Sequence, residues 1–446
     1  MKPFVKISSF FTVVLIMAGV CTTASAGEFT DVIDAFDKDN GDPFDANIRI
    51  GYERSQETGD ITRETLSRNP AFANSWDYYS KYKFGTYKHS QNILNLGVDL
   101  GLFRDISFRF DVPIILSDDR SLTRVGGWDP NTSTQLFAPS LRSPQRSGVD
   151  YLAAGLWWAI LDQSRTKEHP TLTAFVEGRF AVGKKLTAAC VGDAILNYCN
   201  GDTGPDGTEV SEDGGISNNV NQLRLGLHFS RRYGFLEPYM GIDGMLGFYK
   251  GDDLTMSVGS LNDMPPLVGT FDFGMELIPW EVPEHERKLV IVLGGGATYH
   301  SEGRTYTPLF DALGTAVYFK DPVAGNADIN DDGTTDLTPG SDEAEALAAW
   351  SGMTDIENYA EFFGKINIAI QPAKYVKFNL GFRAGHKSEH FITKTDQCPA
   401  GSVDSSTGLC SNYNPGHRPE IDEPGTRFRV EKTFVWSLFL DATAQF

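Results

Sequence analysis

The densest set of hard oxygen donors in the chain is Asp328-Ile329-Asn330-Asp331-Asp332-Gly333-Thr334-Thr335-Asp336. Asp328, Asn330, Asp332 and Asp336 fall at positions 1, 3, 5 and 9 around a glycine at position 6, so short side chains can wrap a calcium ion, which takes roughly six to eight oxygens. Position 12 is Pro339 where a bidentate glutamate would complete the set, leaving Asp342, Glu343 or Glu345 to substitute. The competing reading is an ordinary acidic loop, since residues 301–355 hold eleven acids against Arg304 and Lys320. A second acidic run, Asp37 to Asp42, lacks the glycine at the right place and reads as a solvated arm.

Cysteine supplies the other covalent chemistry. Lys2 and Lys6 precede an apolar run from Phe10 to Val20, and Ala24-Ser25-Ala26 is the small-x-small pattern of a signal-peptide cleavage site, so residues 1–26 read as an export signal. Four cysteines follow it. In an oxidising compartment the local pairs Cys190/Cys199 and Cys398/Cys410 are the natural bridges among three possible pairings, and the absence of CxxC spacing disfavours zinc.

Composition limits what can position these residues. The 446 residues are 41% apolar and 12% aromatic, with 45 glycines, which excludes the disordered class. No stretch after residue 26 approaches the roughly 20 apolar residues of a membrane helix. A formal charge of −20 argues against nucleic acid as a partner.

The elements are strands. From Phe434 to Phe446 every second residue is apolar: Phe434, Trp436, Leu438, Leu440, Ala442, Ala444 and Phe446. The residues between them are mostly polar or small, so one face suits hydrocarbon and the other water. Similar alternation over 93–103 and 106–114, separated only by Arg104-Asp105, predicts a hairpin. Twelve strands are expected over 46–55, 86–103, 106–116, 150–162, 170–184, 219–231, 236–249, 266–279, 288–300, 357–371, 375–388 and 426–446. Their connections alternate short and long, and loops of 30 or more residues count against a compact soluble sandwich.

The closing strand with its terminal Phe446 resembles the C-terminal signature of bacterial outer-membrane β-barrels. That resemblance implies an all-β, up-and-down transmembrane barrel with short periplasmic turns and long extracellular loops, contacting outer-membrane lipid and recognised by the barrel-insertion machinery through Phe446. Residues 27–45 are then an acidic periplasmic N-terminal arm and 46–446 a single barrel. The 328–336 segment is similar to the calcium loops of dockerin or thrombospondin-type repeats.

Within a barrel the register turns Arg49, Glu53, Asp99, Arg109, Asp111, Glu177, Arg179, Arg224, His228, Asp243, Asp272, Glu276, Glu361, Lys365, Lys377, Arg383, Lys387 and Asp441 inward. Eight are basic and nine acidic, so the lumen is charged and nearly balanced, and the negative excess belongs to loops and arm. A porin-like channel for small solutes is one reading. An interior filled by ion pairs, in a structural barrel that anchors envelope or secretion partner proteins, is the other. Enzymatic readings find little support. A barrel phospholipase needs a Ser/His pair followed closely by Asn, and His89-Ser90-Gln91-Asn92 and His300-Ser301 have the letters without the spacing; His386, Glu389 and His390 only faintly resemble an omptin-like rim.

Overall fold

The computed structural model describes residues 28–33, 35, 45–67, 78–125, 140–188, 214–250, 264–314, 351–398, 414 and 416–446. Twelve long antiparallel strands follow in chain order: β1 (Ala46–Ser67), β2 (Tyr78–Phe103), β3 (Ile106–Arg124), β4 (Tyr151–Leu161), β5 (Thr171–Ala181), β6 (Val220–Ser230), β7 (Leu236–Tyr249), β8 (Val268–Val282), β9 (Arg287–His300), β10 (Tyr359–Ala373), β11 (Val376–Lys387) and β12 (Phe428–Gln445). Each pairs with the next, and β12 pairs back onto β1 from Gln445↔Asn47 to Phe428↔Arg63, closing the sheet. Closure gives every strand two neighbours, which is what a backbone surrounded by hydrocarbon requires. No described helix is long and apolar enough to cross a membrane.

Alternation does the sorting. On β6, Leu223, Leu225, Leu227 and Phe229 are exposed, as are Leu438 and Leu440 on β12 and Phe378, Leu380 and Phe382 on β11. A continuous belt of such side chains is untenable in water and natural against lipid. The β2–β3 turn is the two-residue Arg104-Asp105 link, with Arg104 at a φ of 46°.

Three strands outrun their expected ends. β1 and β2 pair as far as Ser67↔Tyr78, and β3 continues to Arg124. The two-residue alternation of lipid-facing apolar side chains stops near Ser55 because these extensions rise beyond the hydrocarbon, where that pattern is no longer needed. A bulge marks the exit on β12: Lys432 adopts a φ of 51° where the β1–β12 register shifts between Thr58 and Asp60. The extra residue reverses which side chains face inward. Val430 and Phe428 therefore turn into a core with Ile61, Phe84, Leu122, Leu309, Leu313, Ile356, Ile392 and Ile421, so the long-loop end of the barrel carries a packed cap. The short helix Phe310–Gly314 belongs to this cap, held by Asp311, which accepts from Ser143 Oγ at 2.5 Å and from Arg146 at 2.5 and 3.1 Å.

The N-terminal segment departs from expectation. Residues 28–33, read from the sequence as part of a periplasmic arm, lie inside the barrel against its wall, because their backbone and side chains find partners there. The calcium residues Asp328, Asn330, Asp332 and Asp336 lie outside the described residues, as do Cys190, Cys199 and Cys410; Cys398 is the one cysteine of the four within them.

Candidate functional site

The lumen is built by inward residues of neighbouring strands, paired across the ladder. Arg49 on β1 donates to Asp99 on β2 at 2.9 Å and to Asp111 on β3 at 2.8 Å. Gly97 opposite Arg49 makes this reach possible, since a Cβ there would stand 2.9 Å from the guanidinium. Arg179 bonds Glu177 at 2.7 Å, Arg224 bonds Asp243 at 3.1 Å, Lys365 bonds Asp272 at 2.5 Å and Arg383 bonds Glu361 at 2.7 Å. Arg179, Arg224 and Arg383 thus meet an acid on their own or an adjacent strand, whereas Arg49 reaches Asp111 over Gly97 of β2 and Lys365 reaches Asp272 over Gly294 of β9.

Of these groups, Arg49 with Asp99 and Asp111, Arg179 with Glu177, and Arg224 line a cavity of about 540 Å³, together with Glu53, Arg109, Lys377 and Asp441. Asp243, Asp272, Glu276, Glu361, Lys365 and Arg383 lie on the wall outside this lining. A second cavity of about 460 Å³ lies above it under the cap, and the two share Glu53, Asn95, Pro113 and Tyr151 in their linings. The two cavities therefore lie side by side along the barrel interior.

The lower end is crossed by residues 28–31. Backbone N–H groups of Glu28 and Phe29 each donate to the Glu276 carboxylate at 2.9 Å. The Glu28 carboxylate meets Lys288 at 3.0 Å and also Lys377. The ring of Phe29 sits 4.2 Å from the His228 ring and 4.4 Å from that of Tyr239. Gly241 leaves room for it, because a Cβ there would come within 2.7 Å of the Phe29 ring. Thr30 shares a hydroxyl bond with Ser230 at 2.8 Å and its carbonyl accepts from Thr173 at 2.9 Å, while Arg109 donates to the Asp31 carbonyl at 2.7 Å. Ala35 then pairs with Arg104 at the β2–β3 turn. The segment touches strands from β3 round to β11 and so lies across the lumen.

Sequence reasoning missed Glu28, Phe29, Thr30 and Asp31, since so few residues show no periodicity. The one available signal was glycine at inward position 241.

In the wall of the second cavity, Asp118 gathers His89 at 3.1 Å, Gln91 at 2.6 Å and Arg120 at 2.8 Å. Ser301 accepts from the Leu267 N–H and donates to the Glu302 carbonyl, both at 2.9 Å. Glu389 bonds Arg429 at 3.4 Å, and the His390 ring stacks on Tyr359 at 4.0 Å. Burial lowers the His390 imidazole and holds that of His417 down at about 4, so both are neutral at pH 7. Burial also pushes the Asp422 carboxyl up to about 7, against the pull of the Thr395 and Arg418 N–H groups that bond it. No group of three or more His, Cys, Asp or Glu side chains suited to a metal occurs among the described residues.

Charge inside and hydrocarbon outside, on a sheet without edges, invert the arrangement of a soluble domain. The chain is a membrane-spanning β-barrel. No protein-family model matches it, and no curated protein is similar to it. Solved structures similar to this barrel include an outer-membrane channel from Pseudomonas putida F1, at 11% identity over 95% of this chain and 100% of that one with a TM-score of 0.36. A FadL homologue from Pseudomonas aeruginosa aligns at 9% identity over 90% of both chains with a TM-score of 0.32. The outer membrane protease OmpT from Escherichia coli aligns at 8% identity over 95% of this barrel and 100% of its own chain, with a TM-score of 0.28. None is near enough to carry a function across.

Proposed function

We propose that this membrane-spanning barrel is an outer-membrane channel for passive passage of small solutes, held closed at its periplasmic end by residues 28–31. The observation that supports the reading is the pair of charged and polar cavities inside a closed wall, adjoining at Glu53, Asn95, Pro113 and Tyr151. An anchoring barrel would have no need of a hollow charged core. The wall pairs keep the net lumen charge small while leaving a transverse field between opposed acids and bases, which orients a polar solute without trapping an ion of either sign.

The closure is made of contacts that can exchange with water. Charge pairs such as Glu28 with Lys288 and Lys377 are replaceable by hydration, and only Phe29 brings a large apolar surface. Opening is displacement of this segment, leaving the wall intact. Vesicle swelling tests the reading. Vesicles carrying the folded protein should swell in small neutral solutes faster than protein-free ones, and faster still when residues 28–33 are deleted; swelling at the protein-free rate for both proteins contradicts it.

The loops carry two further proposals. Calcium binds through Asp328, Asn330, Asp332 and Asp336, so calcium raises the unfolding temperature of the parent and not of the Asp328→Ala/Asp332→Ala variant. The cysteines pair as Cys190–Cys199 and Cys398–Cys410, which non-reducing peptide mapping would show.

A further inference from the structure

The cavity under the cap has features that simple diffusion does not need. Its volume of about 460 Å³ lies in the range of pockets that take a drug-sized ligand, roughly 300–1,000 Å³. Its roof is Thr305, Tyr306, Thr307 and Pro308, and these are fixed to the cap: Tyr306 meets Phe310 edge-on at 4.7 Å, and Thr307 takes the N–H of Leu309 at 3.3 Å. Tyr359 on its side is clamped between His300 at 4.3 Å and His390 at 4.0 Å. A pocket fixed in this way binds without spending affinity on ordering its own walls.

Its chemistry narrows the occupant. Its lysine and arginine are matched within the wall, and its acids outside those pairs, Glu53 and Asp150, hydrogen-bond Ser437 and Ser217. Lys387 bonds Glu57 at 2.6 Å, and Arg120 bonds Asp118 at 2.8 Å. An anionic solute would give up hydration without gaining a counter-charge, and a cationic one would have to compete with the bonds that Glu53 and Asp150 already make. A wholly apolar solute would strip water from Gln91, Asn95, Asn218 and Thr305 without replacing its hydrogen bonds. Tyr87, Tyr151 and Tyr306 bring aromatic surface to the same space, while Tyr359, covered on both faces by His300 and His390, presents its edge. A pyranose ring answers both demands, with C–H faces for the tyrosines and hydroxyls around its rim for the amides and threonines.

We propose that the cavity under the cap is a recognition site for a neutral saccharide of one or two rings. Its role in uptake rests on the channel reading; binding itself does not. The test is calorimetric titration of the full mature barrel, folded in a detergent without a sugar headgroup, with glucose, galactose, maltose, cellobiose and lactose, and with gluconate and glucosamine as charged counterparts. Saturable binding of at least one neutral sugar is expected, weakened about tenfold or more by Tyr306→Ala and by Tyr359→Ala, with the charged analogues binding more weakly. Should Tyr359→Ala fail to fold, Tyr306→Phe and Asn95→Leu carry the comparison, each removing one polar group. No saturable heat from any neutral sugar, binding unaffected by the substitutions, or equal binding of gluconate or glucosamine would each overturn the proposal. Single-channel recording on the same protein separates the two readings: conductance without sugar binding removes the site and leaves the channel, and sugar binding without conductance does the reverse.

Discussion

The hydroxyls of Thr30 and Ser230 lie 2.8 Å apart, buried, joining residues 200 positions distant in the chain. One belongs to the segment that crosses the lumen and the other ends β6 on the barrel wall. Atoms this close lie within reach of a disulfide after double substitution. The Thr30→Cys/Ser230→Cys protein, oxidised, is expected to lose at least about 90% of its channel openings, a tenfold change, and to regain them with reductant. The parent barrel under the same reductant controls for the native cysteines. Full conductance in the oxidised double variant would mean that residues 28–31 need not move.

Arg49 holds two carboxylates, and Asp99 is only 6% exposed. Arg49→Ala leaves Asp99 and Asp111 facing each other without their common partner. Stranding a buried polar partner costs about 1–3 kcal/mol, so urea unfolding should shift downward by that order. The reversal potential in a salt gradient should move toward cation selectivity, because the lumen loses one positive charge. Arg49→Lys should restore most of the selectivity and less of the stability, since an ammonium cannot fork between two acids as a guanidinium does.

Phe428 tests the cap. It is fully buried, meets Phe84 edge-on at 5.2 Å and lies under the Arg63 guanidinium at 5.0 Å. Phe428→Ala should cost the cap about 3–5 kcal/mol. Hydrogen exchange should speed at Ile392, whose N–H bonds the Phe428 carbonyl at 2.9 Å. Amides in the β2–β3 hairpin near Gly97 should keep their protection, because the barrel below the Lys432 bulge does not depend on the cap.

The contrast between those two regions is also the contrast between what was and was not legible in the sequence. Below the bulge each side chain faces either lipid or lumen, so a period of two is enforced residue by residue, and Phe434, Leu438 and Leu440 announce their face. The inward charges were legible for the same reason: Arg49, Asp99 and Asp111 alternate with Ile48, Val98 and Phe110. Above Ser55 no solvent imposes the period, and the chain offered no sign that β1 and β2 continue. Residues 28–31 were invisible because their partners, from Arg109 to Lys377, are far away in sequence and local pattern encodes none of those contacts.

Asp422 gives the cap a pH signature. Its carboxyl stands at about 7 in the folded barrel against about 3.8 when free. A folded value above the unfolded one means that the native state holds the extra proton between these limits, so its stability falls as pH rises from about 4 to about 7. His417, at about 4 against 6.5, works in the opposite direction over its own range, gaining stability as pH rises from about 4 to 6.5. Asp422→Asn isolates the first effect. The variant starts below the parent at pH 5, having traded an acceptor of the Thr395 or Arg418 N–H for a donor, and the gap should narrow by pH 8 as the parent alone ionises a buried group. Melting followed through cap amides at pH 5 and 8 checks it, and a gap that widens with pH contradicts the assignment.

The central claim is a hollow, closable barrel, and single-channel recording of the folded mature protein in planar bilayers, beside its variant lacking residues 28–33, tests it most directly. The account predicts discrete conductance steps that are infrequent in the parent and long-lived in the deletion variant. A baseline current for both proteins, with each demonstrably folded, would contradict it.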